Sequence, residues 1–391
     1  MRKTAIVSAL RTPVGRIRKS LASVQAHELA SLVMKETIFR TGIDAGKIDE
    51  VIFSNLAAHE IANMGKYAAL EAGIPFEVPA MTIDRRCASS LSAIALADAL
   101  IRCGDADCIL TGGVESDSNR PYVMLQQNSL HSIAPPKFRQ GFKPVPDCIG
   151  NVPMGLTAET IAKLYGISRT DCDRFAADSH RKAAAAWDKG AFNEQVVPVI
   201  TKGEKGGEEK TIGMDDIFRR DCTVESLSRL RPAFDPNGVC TAGNSSPQCD
   251  GASAVLLMEA EQAKANGLEI LGYVSGSASV GVDPKIMGVG PIYAVRKLLN
   301  KTGMTLGDFD VIELNEAFAA QSIACIQELN LNPEKVNPNG GAIALGHPGS
   351  ATGGILVAKM VHELKRRGGG RGLVTFCVGG GQGAAMIIES A

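Results

Sequence analysis

The stretch SLSAIALADALIRCGDADCILTGGVES, Ser90 to Ser116, decides the fold. It reads as a helix of alanines and leucines apolar enough to be buried, a short charged turn at Gly104, and a strand that runs into Gly112 and Gly113. The same order returns near the C-terminus: a helix in GGILVAKMVHELKRRG, Gly353 to Gly368, a glycine turn, and a strand in GLVTFCVGGGQG, Gly372 to Gly383. Helix, turn, strand and glycine run therefore occur twice, as if one α/β unit were duplicated.

Outward from these segments the pattern stays α/β. TAIVSAL from Thr4 is a strand, AHELASLVMKETIFRTG from Ala26 an amphipathic helix, KIDEVIFSNLA from Lys47 a strand, NMGKYAALEAG from Asn63 a helix and VPAMTID from Val78 a strand. In the second half DFDVIELNEAF from Asp308 is a strand and turn, followed by helical IACIQEL. Strands alternating with helices imply parallel βαβ units. Residues 119–243 differ: a Pro-rich loop, two helices in TAETIAKLYGISRTDCDRFAADSHRKAAAAWDKG, then the charged TKGEKGGEEK, which reads as a solvated hairpin or loop. The expected division is 1–118 with 244–265 as the first half, 119–243 as an insertion covering a site, and 266–391 as the second half.

The bulk numbers exclude more than they assign. With 391 residues, 45% hydrophobic and 21% charged, the chain can bury real cores. A net charge of −1 gives no reason to expect nucleic acid or a membrane surface as partner, and no apolar run reaches the roughly 18 residues of a membrane span. The N-terminus MRKTAIVSALRTPVG reads as a first strand, not a signal peptide. The ten cysteines include no CxxC pair and no zinc spacing, so no metal is expected, and reduced thiols fit a cytoplasmic location.

Three residues carry chemistry. Cys87, in DRRCASSLSAI, follows a polar turn and precedes a helix, whose N–H groups and dipole favour a thiolate. His347 lies between Gly346 and Pro348 in GGAIALGHPGSATGG, where the backbone positions a ring instead of packing it. Cys377 ends a strand and is followed by Val378 and Gly379 to Gly381, whose N–H groups suit an oxyanion. A buried cysteine and a turn histidine without roles are the plain alternatives. GGGQGA, Gly379 to Ala384, fits a dinucleotide fingerprint in form, but no helix, strand and acidic residue follow it before Ala391.

Taken in order, CASSLSAI at Cys87, GGVES at Gly112, MGLTAE at Met154, LRPAF and TAGNSS between Leu230 and Ser246, NEAFAAQ at Asn315, GGAIALGHP at Gly340 and CVGGGQG at Cys377 resemble the thiolases over essentially the full length. The resemblance implies duplicated βαβαβ halves in a five-layered α/β/α/β/α core with an inserted loop domain. It implies an acetyl-CoA C-acyltransferase, joining two acetyl-CoA or cleaving 3-ketoacyl-CoA with CoA, with coenzyme A as substrate and no cofactor. Cys87 becomes the acylated nucleophile, His347 its activator and Cys377 the base for carbon–carbon chemistry. The N–H groups of Gly379 and Cys87 form one oxyanion hole; the Asn315 amide, holding a water, forms a second with His347. Glu316 either orders that pair or is structural. Coenzyme A contacts map onto Met154, Arg219, Ser226, Phe234, Ala242 and Ser246, with Phe318 on the acyl side. A homodimer or homotetramer is implied, with Tyr122 to Pro146 as a candidate contact loop.

The chain departs from the family at Asp84, Asp117, Pro153, Pro247, Cys249 and Ser350, none a catalytic position; several lie toward the acyl tunnel and leave chain length open. A condensing synthase of the same fold is disfavoured by Cys377, since such enzymes typically have a different partner there, often a second histidine. A non-catalytic binding protein is disfavoured by the intact Cys87, Asn315, His347 and Cys377, and a cysteine hydrolase would not need Cys377.

Overall fold

Apolar runs short enough for strands alternate with longer helical patterns, and the chain folds accordingly. The structure, a computed structural model, describes residues 2–125, 135, 137–138, 143–202 and 208–391. Nine strands build the main sheet: β1 Thr4–Arg11, β2 Glu50–Ser54, β3 Ala80–Ile83, β4 Cys108–Ser116, β5 Cys249–Glu259, β6 Gly272–Gly281, β7 Val311–Leu314, β8 Arg371–Val378 and β9 Gln382–Ser390. Their order is β3-β2-β4-β5-β1-β6-β9-β8-β7, with the short strand Gly15–Arg16 pairing onto β5.

The duplication is visible in strand direction. In the first half β2 runs parallel to β3 and β4, and β4, β5 and β1 then alternate antiparallel. In the second, β7 runs parallel to β8, and β8, β9 and β6 alternate antiparallel. Val336 bridges in parallel to Ile312 at the outer edge, where the first half has β3. The halves join through Thr4–Ile6 of β1 paired with Gly272–Val274 of β6. The expected parallel pairing holds for β3-β2-β4 and for β7-β8, and is corrected for the other pairs, which are antiparallel. Between β8 and β9 only Gly379, Gly380 and Gly381 intervene, the last two at φ 87° and 82°, and so short a link can make a hairpin but not a crossover.

The helices are α1 Ala26–Thr41, α2 Met64–Glu71, α3 Ser89–Cys103, α4 Met154–Tyr165, α5 Arg169–Asp188, α6 Gly290–Thr302, α7 Ala319–Glu328, α8 Ala342–Leu345 and α9 Thr352–Arg366. Because side chains alternate along a strand, each half-sheet serves two cores. Val51, Phe53 and Leu110 pack outward on Leu29, Val33 and Met34 of α1. Their neighbours Ile52 and Ile109 face inward, onto Ile94, Ala97 and Ile101 of α3 and Val357, Val361 and Leu364 of α9. Val374, Phe376 and Met386 of the other half close the same central core, while Leu373, Ala385 and Ile387 face α6 and α7. This gives the five layers, with α3 and α9 in the middle. Among the described residues no helix is long and apolar enough to cross a membrane.

The 119–243 segment contributes α4, α5, the helix Val224–Ser228 and a hairpin of Val199–Thr201 with Lys210–Ile212. The hairpin flanks the charged TKGEKGGEEK stretch, whose residues 203–207 lie outside the described residues. The Tyr122 to Pro146 loop lies partly outside them also; Met124–Leu125 pairs there with Lys137–Phe138.

Central helices approach backbone to backbone. A Cβ at Gly353 would stand 2.3 Å from Leu91 N and 2.7 Å from Ser90 Oγ, and Ser90 Oγ accepts the Gly354 N–H at 3.0 Å. Gly353→Ala should therefore push α9 off α3 and lower stability by about 1–3 kcal/mol; denaturant unfolding of the two proteins measures it.

Candidate functional site

The first wall of the site is the turn between β3 and α3. Asp84 accepts the Arg86 N–H at 2.7 Å, and Ser89 Oγ accepts the Arg85 N–H at 2.7 Å while donating to Arg86 O. These bonds hold Arg86 at φ 48°, a left-handed conformation uncommon for a side-chain-bearing residue. The turn Arg86–Ala88 thereby carries Cys87 out of the strand and ahead of the helix. The residue as a whole remains partly exposed.

Burial pushes the Cys87 thiol up to about 11, against the opposing pull of the N–H groups of Gly379 and Cys87 and of the Arg86 charge. The expected thiolate at a helix N-terminus is therefore not the resting state: desolvation outweighs the dipole. A base is needed to take the proton.

His347 is a group able to take one. Burial lowers its imidazole to about 4, so it is neutral at physiological pH. Nδ1 lies 2.7 Å from Thr352 Oγ1; with Nδ1–H donating to that oxygen, Nε2 carries the lone pair. Gly346 at φ 93° lies against Val14, Ile217 and the Cys249 sulphur, where a side chain would collide, and the His347 N–H points at that sulphur. The turn Gly349–Ala351 after His347 packs on the turn Arg86–Ala88.

Cys377 ends β8, which packs against the Cys87 turn. The Cys377 thiol is buried and held well above its ordinary range, chiefly by desolvation and next by the neighbouring Cys87. The two sulphurs thus feel each other, with the Gly379 N–H aimed at Cys87.

Asn315 follows β7, its backbone N–H donating to Thr375 O at 3.0 Å. Its amide is fully buried, and among the described residues neither Oδ1 nor Nδ2 has a hydrogen-bond partner. A buried amide left so is costly unless it meets a bound oxygen. Glu316 is fully partnered instead: it accepts from Ser179 Oγ at 2.7 Å, Asn337 Nδ2 at 2.8 Å and the Ile343 N–H at 3.2 Å. It pins α8, just before His347, to the strand end that bears Asn315.

The residues assigned to coenzyme A divide into two groups. Met154, half-buried at the start of α4, lies 3.7 Å from the position a Cβ on Gly379 would take. Phe234 stacks edge-on against Phe318, ring centroids 5.9 Å apart, and Ser246 is tied to Ala317 O. Arg219, Ser226 and Ala242 are exposed. Arg219 has its N–H on His180 Nδ1, and Ser226 closes a capping box with Thr223; none of the three has a recorded bond to the thiols or to His347.

Glu115, Thr352 and Cys249 surround the His347 turn but were not among the expected site residues. GGVES was the one legible signal, and its glutamate went unassigned. Among the described residues no cluster of His, Cys, Asp or Glu could hold a metal.

The chain is similar to known proteins over nearly its full length. Residues 4–261 match the thiolase N-terminal domain and residues 268–390 the thiolase C-terminal domain. An acetyl-CoA acetyltransferase of Pseudomonas aeruginosa is 44% identical, with 99% of each chain covered. A beta-ketoadipyl-CoA thiolase from the same organism is 43% identical, again over 99% of each. The crystal structure of the Bacillus anthracis acetyl-CoA acetyltransferase superposes with a TM-score of 0.95 at 40% identity, covering 100% of this chain and 99% of that one.

If the Thr352 hydroxyl sets the imidazole tautomer, Thr352→Val should lower kcat by about tenfold or more with KM little changed, and Thr352→Ser should restore it. Steady-state kinetics of the two variants tests this.

Proposed function

The chain belongs to the thiolase family, and on that premise we propose that Cys87, His347 and Cys377 run a two-step acyl transfer between coenzyme A thioesters. The observation that carries the reading is the pairing of two buried thiols, each pushed upward, beside an imidazole kept neutral.

In the condensing direction the Cys87 sulphur attacks the carbonyl of acetyl-CoA while His347 takes the thiol proton. The oxyanion collapses, CoA leaves as its thiol with the proton returned by His347, and an acetyl thioester stays on Cys87. A second acetyl-CoA then binds. Cys377, its own proton passed to His347 and later returned from there to the departing Cys87 sulphur, removes one from the methyl carbon of that thioester. The carbanion attacks the Cys87 thioester, the new carbon–carbon bond forms, and acetoacetyl-CoA departs as Cys87 regains a thiol. Thiolysis is the reverse, with CoA attacking the acyl-Cys87. The N–H groups of Gly379 and Cys87 receive one developing oxyanion, and Asn315 with His347 the other. Their fixed positions in a water-poor site spare solvent reorganisation.

Met154, Phe234, Ser246 and Phe318 are assigned to the pantetheine and acyl portions, and Arg219, Ser226 and Ala242 to the nucleotide end. The exposed Arg219 side chain suits phosphate, and Arg220 beside it pairs with Asp188 at 2.8 Å. The same proposal includes the division at 1–118 with 244–265, 119–243 and 266–391, a cytoplasmic enzyme with all ten cysteines free, no cofactor beyond the coenzyme A substrate, and a homodimer or homotetramer.

Cys87→Ser should abolish thiolysis of acetoacetyl-CoA; full retained activity would remove Cys87 from its role. Cys377→Ala should lose carbon–carbon cleavage and formation by at least about a hundredfold while exchange of labelled CoA into acetyl-CoA survives. Loss of both to the same extent would argue against a separate base.

A further inference from the structure

Glu115 is the penultimate residue of the buried strand β4 and belongs to none of the steps above, yet its carboxyl lies under the turn that follows His347. Its Oε2 is 3.2 Å from Ser350 Oγ and would stand 3.0 Å from a Cβ on Gly349, so the carboxyl fills the space where that glycine has no side chain. The Ser350 N–H also points at it. Oε1 has no partner among the described residues, and the side chain is 1% exposed.

The protons in this cluster can be counted. Ser350 Oγ has one hydrogen and faces Val114 O at 2.8 Å, Ser54 O at 3.3 Å and Glu115 Oε2 at 3.2 Å. The shortest contact takes the hydroxyl proton to Val114 O. The Oγ–Oε2 contact is then a hydrogen bond only if the carboxyl supplies a proton, whereas the Ser350 N–H donates to the carboxyl in either state. We propose that Glu115 is a positioning residue which, as a neutral carboxylic acid donating to Ser350, holds the His347 turn against the Cys87 turn.

Its surroundings agree. Burial, then the nearby Asp117 carboxylate, raise the group to about 8, with Arg120 and Ser350 opposing. Asp117 is itself paired to Arg120 at 2.5 Å. The crevice beside Glu115 is shared with His27, Glu60, Asn55 and Asn119, and Cys87 is within reach of its charge, which would make the thiolate harder to form. The neutral form thus keeps a negative charge away from the nucleophile through neutral pH. As pH rises through about 8 the carboxyl ionises, the donated bond is lost and Cys87 becomes harder to deprotonate.

This inference rests on Cys87 being the acylated thiol, so the test begins with acetyl transfer from acetyl-CoA to the parent protein; no acetyl-Cys87 there would defeat that reading and not this one. Given acetylation, the parent-minus-Glu115→Gln infrared difference spectrum should show the carbonyl band of a protonated carboxyl group at pH 7, fading above pH 8. Absence of the band at pH 7 overturns the inference. Glu115→Ala should slow single-turnover acetylation by between about 10- and 100-fold, and Glu115→Gln, which can still donate, should recover most of that loss. The parent rate should fall behind that of Glu115→Gln as pH passes about 8. Equal rates and pH profiles in all three proteins would overturn the positioning role. Should Glu115→Ala fail to fold, Ser350→Ala, which removes the acceptor, takes its place with the same expectation of slowed acetylation.

Discussion

The close crossing of α3 and α9 is the constraint on which the rest of the structure depends. Both helices are buried between the two half-sheets, and they meet without side chains between them at Gly353 and Leu91. Each is preceded by a tight turn, Arg86–Ala88 and Gly349–Ala351, so fixing the helices fixes the turns. Cys87 and the His347 imidazole are far apart in the chain, and this close crossing brings their turns together. Close-packed interiors transmit such placement with little slack.

The strand ends complete the arrangement from the other half. Asn315 and Cys377 follow or end neighbouring parallel strands, β7 and β8, so their separation is set by the sheet register that pairs Leu314 with Thr375. Glu316 ties the first of these ends to α8, and Lys359, ion-paired to Glu313 at 2.6 Å, also donates to Gly340 O at 2.7 Å. Buried charges of this kind contribute little net stability, but loss of one partner strands the other. Here they anchor the loop that leads to His347. The electrostatic outcome is a resting site without ions: thiols protonated, imidazole neutral. Charge then appears only as reaction proceeds, in the reach of N–H groups already in place.

Much of this was legible in the sequence. Repetition of helix, turn, strand and glycines in 90–116 and 353–383 signalled the duplication, since a buried α/β unit needs the same pattern each time it is built. Cys87 and His347 stood out because each sits in a turn, and Cys377 because it stands just ahead of a run of three glycines. Strand direction was less legible. A three-glycine link between β8 and β9 was noted for its N–H groups, although its length also dictated a hairpin. The state of the Cys87 thiol was misjudged, because the helix dipole is a local feature visible in sequence and desolvation is a sum over the whole fold. Glu115 and Thr352 were missed for a similar reason. Glu115 meets Ser350 across 235 positions, and Thr352 looks like any helix-start threonine until the imidazole is seen beside it.

The most direct measurement of the central claim is peptide mapping by mass spectrometry after brief incubation with acetyl-CoA and acid quench. The account predicts a single acetyl group per chain, on the peptide that contains Cys87, removed again when free CoA is added before the quench. An acetyl group on another residue, or one that CoA does not remove, would contradict it.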